Sequence, residues 1–171
     1  WGSPNVVRVS LKEQVRVDLE RLQRHFYSTS SCGVCGKVSI DALRAKTSPL
    51  ETRLEVGPEV IVSLPEQLRA KQTAFAATGA IHGAGIFSAD GALLRMREDI
   101  GRHNAVDKVL GRCLLDGMAV ADRILVTSGR TSSEILFKAA GSGIPFLISK
   151  SAPTDMGVEL ARELGITLVG F

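Results

Sequence analysis

Aromatic residues, histidine, cysteine and long apolar runs are all scarce in this sequence. Only 5% of its residues are aromatic, and none alternate with basic side chains in the stripe that stacks bases. Nucleic acid is therefore not an expected partner, and a net charge of +3 is too small to argue otherwise. No run approaches the roughly 18 to 20 apolar residues of a membrane span, so no membrane partner is expected. The opening residues, Trp1-Gly2-Ser3-Pro4, lack the basic and apolar regions of a secretory signal. Three cysteines, an odd number, do not make a disulfide framework, and free thiols suit a reducing, cytoplasmic setting. No G-x-S-x-G elbow of a serine hydrolase occurs. No second Cys pair and no His pair at ligand spacing occur either, so zinc is not expected.

What is present is organised around Ser30-Ser31-Cys32-Gly33-Val34-Cys35-Gly36-Lys37. Each thiol is followed by a glycine, which leaves no bulky neighbour over the sulfur. Lys37 and a helix expected to start near Ile40 bring positive potential, which favours the reactive thiolate. Three readings compete. A zinc half-site lacks its other two ligands. A thioredoxin-like motif would follow a strand and open a helix within a βαβ unit, and the surroundings fit poorly. The favoured reading is a mobile thiol loop, residues 28–37, that carries or transfers something.

Hydrophobic residues make up 44% of the 171, enough for a real core. Residues 1–58 are expected to form an N-terminal unit that packs on a main domain, residues 59–171. In the first, Asn5 to Leu11 and Val15 to Leu19 alternate as two short strands. Ser39 caps a short helix through Arg44, and Thr47 to Pro58 is irregular. In the second, Leu64-Pro65-Glu66 opens a helix that stops at Thr78-Gly79. Strands Ala80 to Ser88 and Ala92 to Glu98 flank a turn at Asp90-Gly91. Val106, Val109, Leu110, Cys113 and Leu114 form an apolar helical stripe, which makes Cys113 a core residue. Ile124 to Val126, Pro145 to Ser149 and Ile166 to Phe171 are strands. Between them run a helix opened by a Thr131-x-x-Glu134 capping box and a helix capped by Thr154. A helix, an antiparallel hairpin and then αβαβαβ describe an α/β fold. It is a three-layer αβα mixed sheet of the cytidine-deaminase-like kind.

In such sheets ligands bind beyond the carboxyl ends of the strands. Two junctions there are rich in polar groups: Asp99-Ile100-Gly101-Arg102-His103-Asn104 and Thr127-Ser128-Gly129-Arg130-Thr131-Ser132. Each joins an arginine, a glycine and a helix start, a combination that favours phosphate. Against this stands the plainer reading that Asp99, Asn104 and Thr131 only cap helices. His82, in a small-residue strand, and His103, at a helix start, are further candidates; His25 is a weaker one. A deaminase reaction is excluded, because the H-x-E and P-C-x-x-C ligand pairs at the two helix starts are missing.

Together, Ser-Cys-Gly-Val-Cys-Gly at 31–36, Arg-Glu-Asp-Ile-Gly-Arg-His-Asn-Ala-Val-Asp-Lys at 97–108 and Thr-Ser-Gly-Arg at 127–130 closely resemble one family. It is the formate dehydrogenase accessory protein family, the FdhD-type sulfurtransferases. Ser-Ala-Pro-Thr at 151–154 and Gly-Ile-Thr-Leu-Val-Gly-Phe at 165–171 add to the resemblance, which spans nearly the whole chain. The family's Thr-Gly-Gly-Thr-His reads Thr78-Gly79-Ala80-Ile81-His82 here. The resemblance implies a sulfur carrier that accepts persulfide sulfur from a cysteine desulfurase. The sulfur goes to the molybdenum cofactor, bis(molybdopterin guanine dinucleotide), of apo formate dehydrogenase. It makes Cys32 the persulfide carrier and Cys35 its supporting or resolving partner. The guanine-nucleotide-containing cofactor would meet His82, Arg102, His103, Asn104, Ser128, Gly129, Arg130, Thr154 and Phe171. A homodimer is expected. The alternative is a non-catalytic nucleotide-binding or thiol-regulated adaptor, its thiol loop a redox switch alone.

Overall fold

The computed structural model describes residues 47–171, together with Ser10, Lys12 and Val15. The expected N-terminal strands, the Ser39 helix, His25 and the Cys32/Cys35 loop lie outside the described residues, those three isolated positions apart. From residue 47 the chain runs irregularly to Gly57. On the way, the Leu50 N–H donates to the Leu164 carbonyl at 2.9 Å.

Helix α1 spans Pro58–Lys71, opening earlier than the sequence suggests. Pro58, not Pro65, occupies the first helical position, where a missing N–H leaves no bond unmade. Gly57 precedes it in extended conformation and Glu59 lies in the first turn, complementing the helix dipole. Pro65 is instead buried inside α1. After a break at Gln72, α2 (Thr73–Thr78) ends at Gly79, whose φ of 68° is left-handed and suits glycine.

Strands β1 (His82–Phe87) and β2 (Leu93–Asp99) pair antiparallel. Their register shifts between Ile86 and Phe87, which oppose Arg95 and Leu93. The remaining elements are α3 (Arg102–Leu115), β3 (Ile124–Thr127), α4 (Ser133–Gly141), β4 (Phe146–Ser149), α5 (Asp155–Glu163) and β5 (Thr167–Gly170). The sheet order is β2-β1-β3-β4-β5. β1 meets β3 antiparallel, and β3, β4 and β5 run parallel.

Alternation along the strands divides the core in two. Ala84, Ile86, Leu125 and Leu147 face α3, α4 and α5, meeting Val106, Val109, Leu136 and Leu160. Phe87, Ile124, Val126, Phe146 and Ile148 face Leu64 and Leu68 of α1. The result is the expected three-layer mixed sheet. Cys113 is buried on the α3 side, where burial pushes its thiol pKa up. Leu114 departs from expectation: it is 82% exposed, because at the end of α3 the buried stripe narrows to Cys113. No helix among the described residues is long and apolar enough to cross a membrane.

Leu64 of α1 is fully buried in the cluster on its face of the sheet. Leu64→Ala should lower unfolding free energy by about 2–5 kcal/mol through the cavity it leaves. Leu114→Ala should stay within about 0.5 kcal/mol of the parent. Urea titration of both checks this division, and a large loss in Leu114→Ala would contradict the exposed placement.

Candidate functional site

Strand register brings the polar junctions to one edge of the sheet. His82 opposes Asp99 across β1 and β2. Because β1 is antiparallel to β3, the start of β1 lies beside the end of β3, with Ala84 opposite Thr127. The parallel pairs continue the edge, Thr127 with Ser149 and Ser149 with Gly170. The starts of α3, α4 and α5 follow directly after these strand ends.

The loop after β3 is fastened to β1. The Ser128 N–H donates to the Gly83 carbonyl at 2.9 Å, and the Gly83 N–H donates back to Ser128 Oγ at 2.9 Å. The Ser128 hydroxyl proton is thereby left for another acceptor. Ser149 Oγ lies 2.9 Å from the Gly129 carbonyl and 2.6 Å from the Ser151 carbonyl, and accepts from the Ser151 N–H at 3.1 Å. Gly129 is buried, and a Cβ there would lie 2.8 Å from Arg102 Cβ and 3.4 Å from His82 Nδ1. Glycine at this position is what lets the stem of Arg102 and the ring of His82 meet over the loop.

At the start of α3, Asp99 organises the turn. Its Oδ1 accepts from the Gly101 N–H at 2.9 Å and from Asn104 Nδ2 at 3.1 Å, while Oδ2 pairs with Lys108 Nζ at 2.5 Å. Those donors hold the Asp99 pKa at about 2, the lysine contact being the largest cause. Asn104 thus directs its amide at the turn. Arg102 Nε and His103 Nδ1 are buried without partners, as are Thr131 Oγ1 and Ser132 Oγ at the start of α4. The sequence assigned Thr131 to a capping box, but Ser132 precedes the first helical residue and no side-chain cap is made. A box needs its first residue three before the glutamate at the cap position, and α4 starts one residue too late for Thr131. Thr154 does cap α5, its Oγ1 accepting from the Gly157 N–H at 3.1 Å. Arg130 is exposed. Phe171, 54% exposed, reaches the edge through its N–H, which donates to the Ser149 carbonyl at 3.2 Å.

A cavity of about 500 Å³ opens beside His82 and Ser128, lined also by Arg69, Gln72, Phe75, Lys150 and Ser151. Sequence reasoning missed the last five. Arg69 lies 3.8 Å over the Phe75 ring. Glu98 fixes that wall by accepting from the Ala74 and Phe75 N–H groups, each at 2.9 Å. Among the described residues no group of three or more His, Cys, Asp or Glu could hold a metal ion.

Residues 2–171 match the FdhD/NarQ family. The chain belongs to that family. A Streptomyces coelicolor relative named sulfur carrier protein FdhD is 46% identical over 98% of this chain and 61% of its own length. The chain thus spans about three-fifths of the curated relatives it matches. A solved formate dehydrogenase accessory protein from Desulfotalea psychrophila is 35% identical, with a TM-score of 0.67 over 74% of this chain and 54% of that one. The cyanophage S-TIM5 dCMP deaminase is 14% identical, with a TM-score of 0.50 over 68% of this chain and the whole of that one. That likeness confirms the deaminase-like fold. The family member described here presents Arg102-His103-Asn104 and Thr131-Ser132-Ser133 at the helix starts where a zinc deaminase keeps its ligands.

His103 yields a pH signature. Burial and then the nearby Arg102 charge lower its pKa below 6.5. The unfolded chain therefore binds the proton more readily, so this contribution to stability is full above the unfolded value and declines as pH falls through it. In His103→Gln, the unfolding free energy should vary less with pH between about 7 and 5 than in the parent. Unfolding titrations across that window test it, and parallel slopes would refute it.

Proposed function

We propose that this chain carries sulfur to the molybdenum cofactor of formate dehydrogenase, acting as a sulfurtransferase of the accessory type. The donor is a cysteine desulfurase, the recipient is apo formate dehydrogenase, and the bis(molybdopterin guanine dinucleotide) cofactor is the cargo. The setting is the cytoplasm and the working form a homodimer. The observation that most supports this reading is the set of partnerless donors at the sheet edge. These are Arg102 and His103 on one helix start and Thr131 and Ser132 on the next, at the sheet edge where His82 and Ser128 line a cavity with Arg69 and Lys150. Helix starts and cations of this kind suit the diphosphates of a dinucleotide. Arg102, Arg130 and the Ser128 hydroxyl would meet phosphate oxygens, with His82, His103, Asn104, Gly129, Thr154 and Phe171 around them.

The chemistry assigned to the thiols follows thiol–disulfide exchange. The Cys32 thiolate attacks the outer sulfur of the donor's persulfide. A sulfur–sulfur bond forms at Cys32 as the donor's breaks, and the donor leaves as its thiolate with no net oxidation. For release, the Cys35 thiolate attacks the Cys32 sulfur, closing a disulfide and expelling hydrosulfide. The two thiols supply the two electrons that reduce sulfane sulfur to sulfide, which is a physical reason for a pair. Lys37 favours the thiolate form throughout.

Two measurements test the reading. Cys32→Ser should abolish both persulfide loading and activation of apo formate dehydrogenase, because a hydroxyl is un-ionised at neutral pH. Cys35→Ser should still load and hold the persulfide longer. Intact-protein mass after treatment with desulfurase and cysteine, beside an activation assay, reads both. Activation that survives both changes would favour the adaptor alternative. Separately, Arg130→Ala should weaken GDP binding by about 1–3 kcal/mol if a charge-assisted phosphate contact is lost. Calorimetry should show this with the unfolding transition unmoved, since no hydrogen bond or ion pair of Arg130 holds the described fold together.

A further inference from the structure

The sheet order leaves β2 as an outer strand, 7 residues long, and among the described residues no strand pairs with its far side. Backbone alternation says which of its groups point there. Gly83 turns its N–H and its carbonyl to Ser128, on the β3 side of β1. Those of its neighbours His82 and Ala84 therefore turn toward β2. Their partners Asp99 and Arg97 turn back to β1, which leaves the backbone groups of Met96 and Glu98 directed outward. Both outward carbonyls are covered by a cation of this chain. The Met96 carbonyl accepts from Arg97 Nη1 at 2.6 Å, and the Glu98 carbonyl accepts from Lys108 Nζ at 3.2 Å. At the register shift, the Leu94 carbonyl accepts from Arg95 Nη1 at 2.7 Å. Two of these cations are fastened in turn, Arg95 to Asp116 at 2.7 Å and Lys108 to Asp99 at 2.5 Å. Water also satisfies an exposed carbonyl, so hydrogen-bond supply alone does not account for three cations in a row.

An open edge strand is a template for pairing with another chain, and charged side chains are a means of blocking it. A strand arriving at β2 needs the Met96 and Glu98 carbonyls for its own N–H groups, and here it meets a guanidinium and an ammonium instead. Two copies meeting edge to edge would also bring like charges together. We infer that Arg95, Arg97 and Lys108 close the β2 edge to strand addition, so that copies of this chain associate through a surface other than this edge. Arg97 is the cap to test. It covers Met96, the middle carbonyl of the row, and its replacement spares the Arg95–Asp116 and Lys108–Asp99 pairs.

The test uses the full chain. Threonine favours strands but is too short to cover the carbonyl as Arg97 does, so copies of Arg97→Thr should pair through β2. Their mass in sedimentation velocity should rise with concentration toward about twice the parent's. Hydrogen exchange at Leu94–Glu98 should slow over the same concentrations, because the added strand takes the edge N–H groups. Arg97→Lys keeps a cation at the edge, and Arg53→Thr removes an exposed arginine elsewhere; both should behave as the parent does. An Arg97→Thr protein with the parent's mass and exchange at every concentration overturns the inference. Equal association of Arg53→Thr also overturns it, since net charge and not the caps would then be responsible. The parent supplies a test that needs no variant: its exchange at Leu94–Glu98 should be independent of concentration. Slowing there as it self-associates would mean that the edge pairs with its caps in place, and would sink the idea.

Discussion

Two hydrogen bonds between Ser128 and Gly83 set the geometry of the whole edge. They run in opposite directions, from the Ser128 N–H to the Gly83 carbonyl and from the Gly83 N–H to Ser128 Oγ. They continue the β1–β3 ladder one step past the last strand pair, using a side chain where the backbone has left the sheet. Several candidate residues adjoin that step. His82 lies immediately before Gly83, Gly129 immediately after Ser128, and the Arg102 stem and His82 ring both lie close to Gly129. The opposite face of Gly83 carries the Gln72 amide. A single glycine thus separates two differently furnished sides of one strand end.

The serines and threonines of this edge divide into two groups. Ser128, Ser149, Ser151 and Thr154 hold loops together, bonding to Gly83, Gly129, each other and Gly157. Thr131 and Ser132 do not, and their hydroxyls are buried without partners. Arg102 Nε and His103 Nδ1 at the start of α3 are in the same state. Buried polar groups are paired in the great majority of cases. Four of the six such atoms among the described residues, on Arg102, His103, Thr131 and Ser132, belong to these two helix starts, which makes them candidates for a ligand.

The sequence made the α/β order and the sheet edge legible because its signals there are local. Gly79, Gly91 and Gly117 mark chain reversals at positive φ, and Thr154 is a cap that the helix uses. The misplacements share a cause: each required knowing which of two equivalent signals a neighbour would select. Pro58 and Pro65 can both open a helix, and only the packing of Leu64 and Leu68 against the sheet decides that the helix runs through the second. Leu114 continues the periodicity of α3, but in the last turn only Cys113 is turned into the core, and Leu114 and Leu115 are exposed. Gln72 carried no signal alone, since its meaning comes from Gly83, eleven residues on and in another element. The paired Gly83 and Gly85 hinted at close approach without saying by what.

The helix starts of this deaminase-like fold have an electrostatic character of their own. Three helices, α3, α4 and α5, start at the same edge, and each start carries partial positive charge. A scaffold of this kind tolerates a cation there only if anionic ligands offset that field. Here the positions hold Arg102 and His103 on one helix and hydroxyls on the other, with Glu134 and Asp155 in the first turns of α4 and α5. His103 responds as a group in such a field should: burial and the Arg102 charge disfavour its protonated form. Asp99 pairs with Lys108 and accepts from the Gly101 N–H of the turn. Under the reading proposed above, these helix starts and cations are what would receive a phosphate-bearing ligand.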